Sequence, residues 1–443
     1  MGIIVSEMPT STVVQVADLS TGLVTDFSAT LGHALVEQQA QLLDGTLEAR
    51  SSQNAQEDSL DLFPSLPKDQ LAVVTPIIGP KLNLKLLTIP VIRPRPGEVT
   101  VKIEWTGICG SDVMFSLGPQ PGFPSEFHIG GHEGIGRVVA SHDPSFVGLP
   151  VAARYLCNTC RACHHCREGV PESCSKQENF ARTLAGTFQE YVTAPWDSFM
   201  PVPDWVLGES DIVSPHLYTA ALCSGAAALK AVKNAAVRPG DVVVVLGVAG
   251  GIGHLTGLLA KSAMHAKVIG VDMASKRDIL DHGACDIFVP IADSGPGSPK
   301  DWDAFQREIA DAVQWLRPRG SAVRKADSVI VTASTETAFG NLCDYVCDGG
   351  SIVCVGVPKT GGEIRLFIPD VVVKQIKIRG SLMGDWEETY EVMDHIRAGT
   401  IKPVTQVVTL DEVPDAMAKM YEDDHTGKLV VRVGGDVHGK RQP

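Results

Sequence analysis

Residues 240–263, GDVVVVLGVAGGIGHLTGLLAKSA, read as a buried strand, a glycine turn and a helix. The unbroken apolar run Val242–Leu246 suits a strand covered on both faces. Gly247, Gly250, Gly251 and Gly253 crowd the bend, where a backbone must approach something closely, and the amides that open a helix favour a pyrophosphate. A tight turn with no ligand would also use glycines, so the context decides. The next apolar run, KVIGVD, ends in Asp272, nineteen residues after Gly253, where an acid can accept from adenosine ribose hydroxyls. Together these features predict a dinucleotide site. Asp272 would repel a ribose phosphate and so favours NAD over NADP, a preference tempered by Lys276 and Arg277 just beyond it.

Downstream, the runs DSVIVTA, GSIVCVGV and QIKIRGS continue the strand pattern, and HLTGLLAKSAM and WDAFQREIADAVQWL read as helices. That alternation predicts an α/β unit, a doubly wound parallel sheet of the Rossmann type, over 222–380. Upstream, LAVVTPIIGP, LKLLTIPVI, EVTVKIEWTGICG and EGIGRVVASH are short strand-like runs broken by Pro and Gly. They predict a β-rich, partly barrel-like domain over 63–221. The tail, 381–443, from MGDWEETYEVMDHIRAG to KLVVRV, is expected to return to that first domain. PIADSGPGSPKDW reads as a turn-rich surface loop. Residues 1–62 form an acidic extension rich in Ser, Thr and Gln, expected to be disordered or weakly helical, with Leu31, Leu35, Leu42 and Leu43 near one helical face.

The whole chain has 443 residues and a formal charge of −14, which excludes nucleic acid and anionic membrane as main partners, because phosphate binding needs a basic surface. No run of eighteen apolar residues occurs, so no membrane span is expected. The first basic residue is Arg50, which fits neither a secretory nor a mitochondrial presequence and leaves the cytoplasm as the expectation. Eleven cysteines are too few for a disulfide scaffold of this length, and five of them fall in CNTCRACHHCREGVPESC, residues 157–174. That clustering points to metal in a reducing compartment.

Four thiolates close a tetrahedral zinc sphere and make it structural. Spacing alone admits Cys157, Cys160, Cys163 and Cys166, or Cys160, Cys163, Cys166 and Cys174. Three further stretches, TGICGSDV, IGGHEGIG and LCSGAAAL, carry Cys109, His132 and Cys223. Each is ordinary by itself, since cysteine is often buried and a histidine beside glycines is often structural. Taken together they supply two thiolates and an imidazole, a catalytic zinc set that leaves a fourth position open.

The order GICGSD, GGHEGIG, cysteine lobe, LCSG, glycine loop and Asp272 resembles that of zinc-dependent alcohol dehydrogenases of the medium-chain dehydrogenase/reductase superfamily, and LCSG and the lobe look closest to the yeast and fungal type. The resemblance covers about residues 66–433. It implies a catalytic zinc on Cys109, His132 and Cys223, with Glu133 able to approach the metal. It also implies that Asp112 orients His132, Ser111 bonds the substrate oxygen and takes its proton, Tyr155 walls the pocket, and Lys428 lies near the coenzyme pyrophosphate. The family lobe, C-x2-C-x2-C-x7-C, selects Cys160, Cys163, Cys166 and Cys174 and leaves Cys157 over. Two zinc ions per chain, NAD, a small alcohol or aldehyde substrate and a homo-oligomer (dimer or tetramer) follow from the same resemblance. GICGSDV is also reminiscent of polyol dehydrogenases, and an NADP-preferring aldehyde reductase or an NAD-sensing scaffold protein would share much of the pattern. One departure stands out: Met114 occupies the place where many members carry a proton-relaying histidine, and Gly110 replaces a side chain that can touch the pyrophosphate.

Overall fold

The apolar run of the opening motif becomes strand β1 (Val242–Leu246), all five residues buried, in a computed structural model that describes residues 2–8, 11–18, 23–27, 62–118, 128–208, 213–291, 302–359 and 361–434. β1 is the centre of a six-stranded sheet with β2 (Lys267–Met273), β3 (Ile287–Ile291), β4 (Ala326–Val331), β5 (Val346–Cys354) and β6 (Lys377–Gly380). The strand order is β3-β2-β1-β4-β5-β6 and every pairing is parallel. Val243 and Val245 feed one core, with Leu255, Leu258 and Leu259 of the helix Gly251–Ser262. Val242, Val244 and Leu246 feed another, with Phe305, Ile309 and Val313 of the helix Trp302–Leu316. A strand with no polar face thus has a helix on each side. In this order the chain reverses direction across the sheet between β1 and β4, and the crevice at the carboxyl ends there is where α/β sheets bind ligands.

The preceding domain is β-rich, so the fold is a Rossmann-type parallel sheet joined to a separate β domain. Its largest sheet runs in the order Met200–Pro201, Pro150–Arg154, Glu133–Ser141, Glu98–Gly107, Lys428–Arg432, Thr405–Thr409, with Tyr191–Pro195 also on Glu98–Gly107. The strand Lys428–Arg432 pairs antiparallel with Trp105–Gly107, so the tail lies in the sheet of the first domain. The core there gathers Val99, Val101, Ile103, Phe188, Leu429 and Val431.

The amino-terminal extension departs from expectation. The strands Gly2–Met8, Ser11–Asp18 and Leu23–Phe27 form an antiparallel sheet, where disorder or weak helix was expected. The β-branched residues Ile3, Ile4, Val5, Thr12, Val13, Val14 and Val16 favour strand over helix. The helical face expected at Leu31, Leu35, Leu42 and Leu43 lies outside the described residues, as does most of the loop PIADSGPGSPKDW. Among the described residues no helix is long and apolar enough to cross a membrane.

Candidate active site

The strand Glu98–Gly107 runs into buried Ile108, and Cys109 then caps the short helix Gly110–Ser116. Asp112, fully buried, ties this helix start to a second corner. Its Oδ2 accepts the Cys109 N–H at 2.9 Å, and its Oδ1 accepts the Gly131 N–H at 2.9 Å and lies 3.0 Å from His132 Nδ1. A proton on Nδ1 satisfies that contact and leaves Nε2 a bare lone pair. Ser111 Oγ stands 3.4 Å from that Nε2.

Cys223 arrives from the other side, on a single π-helical turn, Ala221–Gly225, that leads into the helix Ala226–Asn234. Such turns cluster at functional sites. Ligand atoms of Cys109, His132, Glu133 and Cys223 all lie within 4.8 Å of one another. The Cys109 sulfur is held well below its ordinary pKa, first by the bond from the Cys223 thiol, then by His132 and the Lys428 charge, against burial. Cys223 is pushed up by the same bond, by burial and by the charge on Cys109. Burial works to lower the His132 pKa, yet the charge and bond of Asp112 raise it well above the usual value.

Glu133 is pushed up to about 7, because its burial outweighs the attraction of Lys428. Lys428 Nζ lies 2.6 Å from Glu133 Oε1 and 2.5 Å from Oε2, and donates to Ser224 Oγ at 3.1 Å. Oε2 has this charge partner but no hydrogen bond of good geometry. A Cβ on Gly107 would stand 1.9 Å from that Oε2, so only glycine leaves room for the carboxylate.

Two sulfurs, an imidazole nitrogen and a carboxylate, converging in one place, form a donor set that suits zinc. Cys109, His132 and Cys223 would hold the ion, with Glu133 in reach.

The lobe repeats the logic without a nitrogen. The sulfurs of Cys160, Cys163, Cys166 and Cys174 lie within 4.8 Å of one another, with 3.5 Å between Cys163 and Cys166 and between Cys174 and Cys160. Backbone N–H groups of Cys163, Cys160 and Lys176 point at Cys160 and Cys174 sulfurs at 3.3–3.4 Å, which favours thiolate. Backbone bonds of this kind bring Cys160 down to about 6. Cys157 stands apart, its buried thiol donating to the Glu178 carbonyl at 3.1 Å and pushed up to about 12 by burial.

At the coenzyme loop a Cβ on Gly253 would meet the Gly247 carbonyl oxygen at 1.9 Å, so the helix can start this close to the bend only on glycine. Gly250 caps that helix and Gly251 begins it. Asp272, at the end of β2, accepts from Ala249 N at 2.8 Å and Met273 N at 2.9 Å, and burial raises its pKa. Lys276 lowers it by its charge, while Arg277 lies over the Phe288 ring. Lys428 was expected near the pyrophosphate. Its methylenes do pass Gly251, 3.8 Å from where a Cβ would stand, but its ammonium is on Glu133.

Two features escaped sequence reasoning. The Lys428–Glu133 pair joins residues 295 positions apart, and no local pattern marks it. Buried Arg154 donates to the Leu222 carbonyl at 3.0 Å and to that of Gly384 at 2.6 Å, fixing the backbone just before Cys223; its signal was a charge ending the apolar run PVAAR. The Tyr155 ring lies 5.4 Å from that of His132 and is stacked on Phe115 at 5.8 Å.

Comparison with known proteins agrees with this geometry. Residues 95–204 match the family described as alcohol dehydrogenase GroES-like domain, and residues 251–398 match zinc-binding dehydrogenase. Alcohol dehydrogenase 1 of Emericella nidulans is 30% identical over 373 residues, covering 83% of this chain and 98% of that protein. An alcohol dehydrogenase of Geobacillus stearothermophilus is 30% identical over 349 residues, 78% of this chain and 94% of its own length. Among solved structures, acetophenone reductase from Geotrichum candidum in complex with NAD superposes with a TM-score of 0.65 at 23% identity, over 84% of this chain and 99% of that one. A cobalt- and zinc-bound alcohol dehydrogenase from Pyrobaculum aerophilum gives 0.65 at 21% identity, over 82% and 100%.

Proposed function

The chain belongs to the zinc-binding alcohol dehydrogenase family, and from that membership we propose that it transfers hydride reversibly between an alcohol and NAD, giving an aldehyde or ketone. The observation that carries this reading is the convergence of Cys109, His132 and Cys223 beside the Ser111 hydroxyl, on a frame tied through Lys428 and Ser224 to the glycine loop. When bound, zinc would supply Lewis-acid polarisation of the carbinol oxygen and NAD the hydride acceptor. Asp112 keeps the Nε2 face of His132 turned into the site. The Ser111 hydroxyl takes the alcohol proton and passes it outward, and Tyr155 and Phe115 wall the substrate side. Asp272 receives the adenosine ribose, and its charge favours NAD over NADP. In the lobe, Cys160, Cys163, Cys166 and Cys174 would hold a second, structural zinc.

We place the protein in the cytoplasm, where the free thiols of all eleven cysteines would stay reduced. We also propose a homo-oligomer. β6 is an exposed sheet edge, and Phe367, Ile368, Val372 and Val373 beside it are 67–77% exposed, an apolar surface that pairing of two edges would cover. The test of the activity is turnover of a panel of alcohols and aldehydes with NAD(H) and NADP(H), alongside metal analysis. Two zinc ions per chain and NAD-linked turnover are expected. Coenzyme binding with no turnover across the panel would defeat the reading.

A further inference from the structure

Cys223 reaches the other candidate donors from a turn whose backbone bonds pass over one residue. At the end of the π turn Ala221–Gly225, the Ala226 N–H points to the carbonyls of Ala221 and Cys223. In a regular α-helix it would donate four residues back, to Leu222. The Leu222 carbonyl takes its bond from elsewhere: Arg154 Nε donates to it at 3.0 Å.

Arg154 ends the strand Pro150–Arg154 of the β-rich domain and is 4% exposed. Its Nη2 donates to the Gly384 carbonyl at 2.6 Å, so one guanidinium joins that strand, the turn and the stretch before the helix Trp386–Arg397. Among the described residues no carboxylate forms an ion pair with it, and both of its hydrogen bonds go to neutral carbonyls. A buried cation without an opposite charge in contact is costly, and these two bonds are what it holds.

The other sides of the turn are closely packed. A Cβ on Gly384 would stand 2.6 Å from the Ala226 carbonyl oxygen. One on Gly225 would stand 2.8 Å from the Ala220 carbonyl oxygen and from Val392 Cγ1 of the helix Trp386–Arg397. The turn is thus held between the arginine and that helix, with glycine where the approach is closest.

We propose that Arg154 is the positioning residue for Cys223: its Nε–H takes the place of the missing helical bond, keeps the extra residue of the π turn, and so holds the sulfur beside Cys109 and His132. The inference rests on the dehydrogenase reading above and adds to it a residue that touches neither metal nor substrate. A π turn leaves the ordinary bonding ladder for one turn only, and the carbonyl it strands needs an outside donor. Without that donor the Ala226 N–H returns to Leu222. Dropping one residue from the turn then swings Cys223 by about 100°, the angle between successive helical residues. Cys109 and His132 stand on the β-rich domain and do not follow, so the donor set opens on one side. The donors of the lobe, Cys160, Cys163, Cys166 and Cys174, lie outside the turn and serve as an internal control.

The experiment compares wild type, Arg154→Lys and Arg154→Met, each loaded with zinc and titrated with chelators of graded strength while the metal left per chain is measured. Lysine can bring an ammonium to the Gly384 carbonyl but has only methylenes where Nε stands, so it keeps the charge and loses the bond to the turn. Arg154→Lys should weaken one of the two zinc ions roughly 10- to 100-fold, the usual cost of removing a group that orients a metal ligand, and leave the lobe zinc unchanged. Cobalt placed in the weakened site should lose part of the thiolate charge-transfer absorption that wild type shows. Arg154→Met should do the same and melt at a lower temperature as well. Crystal structures of the three proteins should show the Ala226 N–H on Ala221 in wild type and on Leu222 in both variants. An unchanged π turn in Arg154→Lys, or equal weakening of both zinc ions, overturns the inference, and Arg154→Lys decides it even where Arg154→Met does not fold. A wild type that takes no zinc at Cys109, His132 and Cys223 overturns the dehydrogenase reading instead, and the Ala226 bond still decides the role of Arg154.

Discussion

Replacing Lys428 by methionine would strand Glu133, and the structure fixes the scale of the damage. The carboxylate is 0% and the lysine 2% exposed, with Nζ 2.6 Å from Oε1. Methionine keeps most of the stem volume but removes the ammonium, its grip on Glu133 and its bond to Ser224 Oγ. Removing one partner of a buried ion pair costs up to about 3–5 kcal/mol where the other group stays charged; Glu133 already stands at about 7 with the lysine present, so without it the carboxyl takes up a proton more readily and the loss grows as the pH rises. In a cooperative unit of roughly 200 residues that upper range corresponds to a fall in Tm of roughly 6–20 °C. Pairing Lys428→Met with Glu133→Gln removes the stranded charge, so the double variant should recover most of the loss. The assay is thermal melting at fixed protein and zinc concentration, since bound ligand shifts apparent stability, with zinc content measured on each protein. A loss below about 1 kcal/mol in the single variant, or a double variant no more stable than the single, would refute the claim that this buried pair contributes to the stability of the fold.

Cys174→Ser should release one zinc and lower thermal stability, because three thiolates cannot close the lobe, whereas Cys157→Ser should leave the metal content unchanged. The reverse pattern by elemental analysis would show that the other cysteine register holds the ion. Asp272→Ala should lower kcat/KM for NAD by about tenfold and narrow the gap to NADP, because it removes both a ribose acceptor and a repelling charge; a wild type more efficient with NADPH would contradict this. His254 is buried, donates from Nδ1 to the Gly250 carbonyl at 2.9 Å, has no partner on Nε2 among the described residues, and is lowered by burial from 6.5 to about 4. Because the unfolded chain takes up this proton first, its contribution is complete above the unfolded value of 6.5, and as pH falls from there to about 4 the fold loses about 3 kcal/mol that His254→Leu should not lose. Parallel pH profiles of urea stability for the two proteins would refute it.

What the sequence made legible follows from how local each feature is. β1 could be read because five buried residues in a row leave no polar face, and the glycine loop because the chain must bend there without Cβ atoms. The strand order could not, since no periodicity records which strands a crossover brings together. β3 escaped because IFVPI contains Pro290, and it sits at the sheet edge, where a missing N–H is tolerated. The metal donors were visible as residue types, and the structure brings Cys109, His132, Glu133 and Cys223 together. What stayed hidden was long-range geometry: the π turn that aims Cys223, the Arg154 bonds to the Leu222 and Gly384 carbonyls, and the redirection of Lys428 to Glu133.

That hidden geometry makes the metal site and the coenzyme loop one mechanical object. Cys109 and His132 stand on the β-rich domain, but Cys223, the third member of the candidate donor set, enters on the turn that leads to the parallel sheet, so neither part completes that set alone. The return strand closes the arrangement. Gly427 N donates to the Ala249 carbonyl inside the glycine loop at 2.8 Å, and the next residue, Lys428, runs past Gly251 to Glu133 and Ser224. A shift of the glycine loop therefore pulls on a lysine that touches the carboxylate beside His132. Placement of a dinucleotide at the glycine loop and of a metal at the candidate donors would be set by the same few bonds, which is what hydride transfer between two separately bound groups requires, because reacting atoms must meet within a few tenths of an ångström.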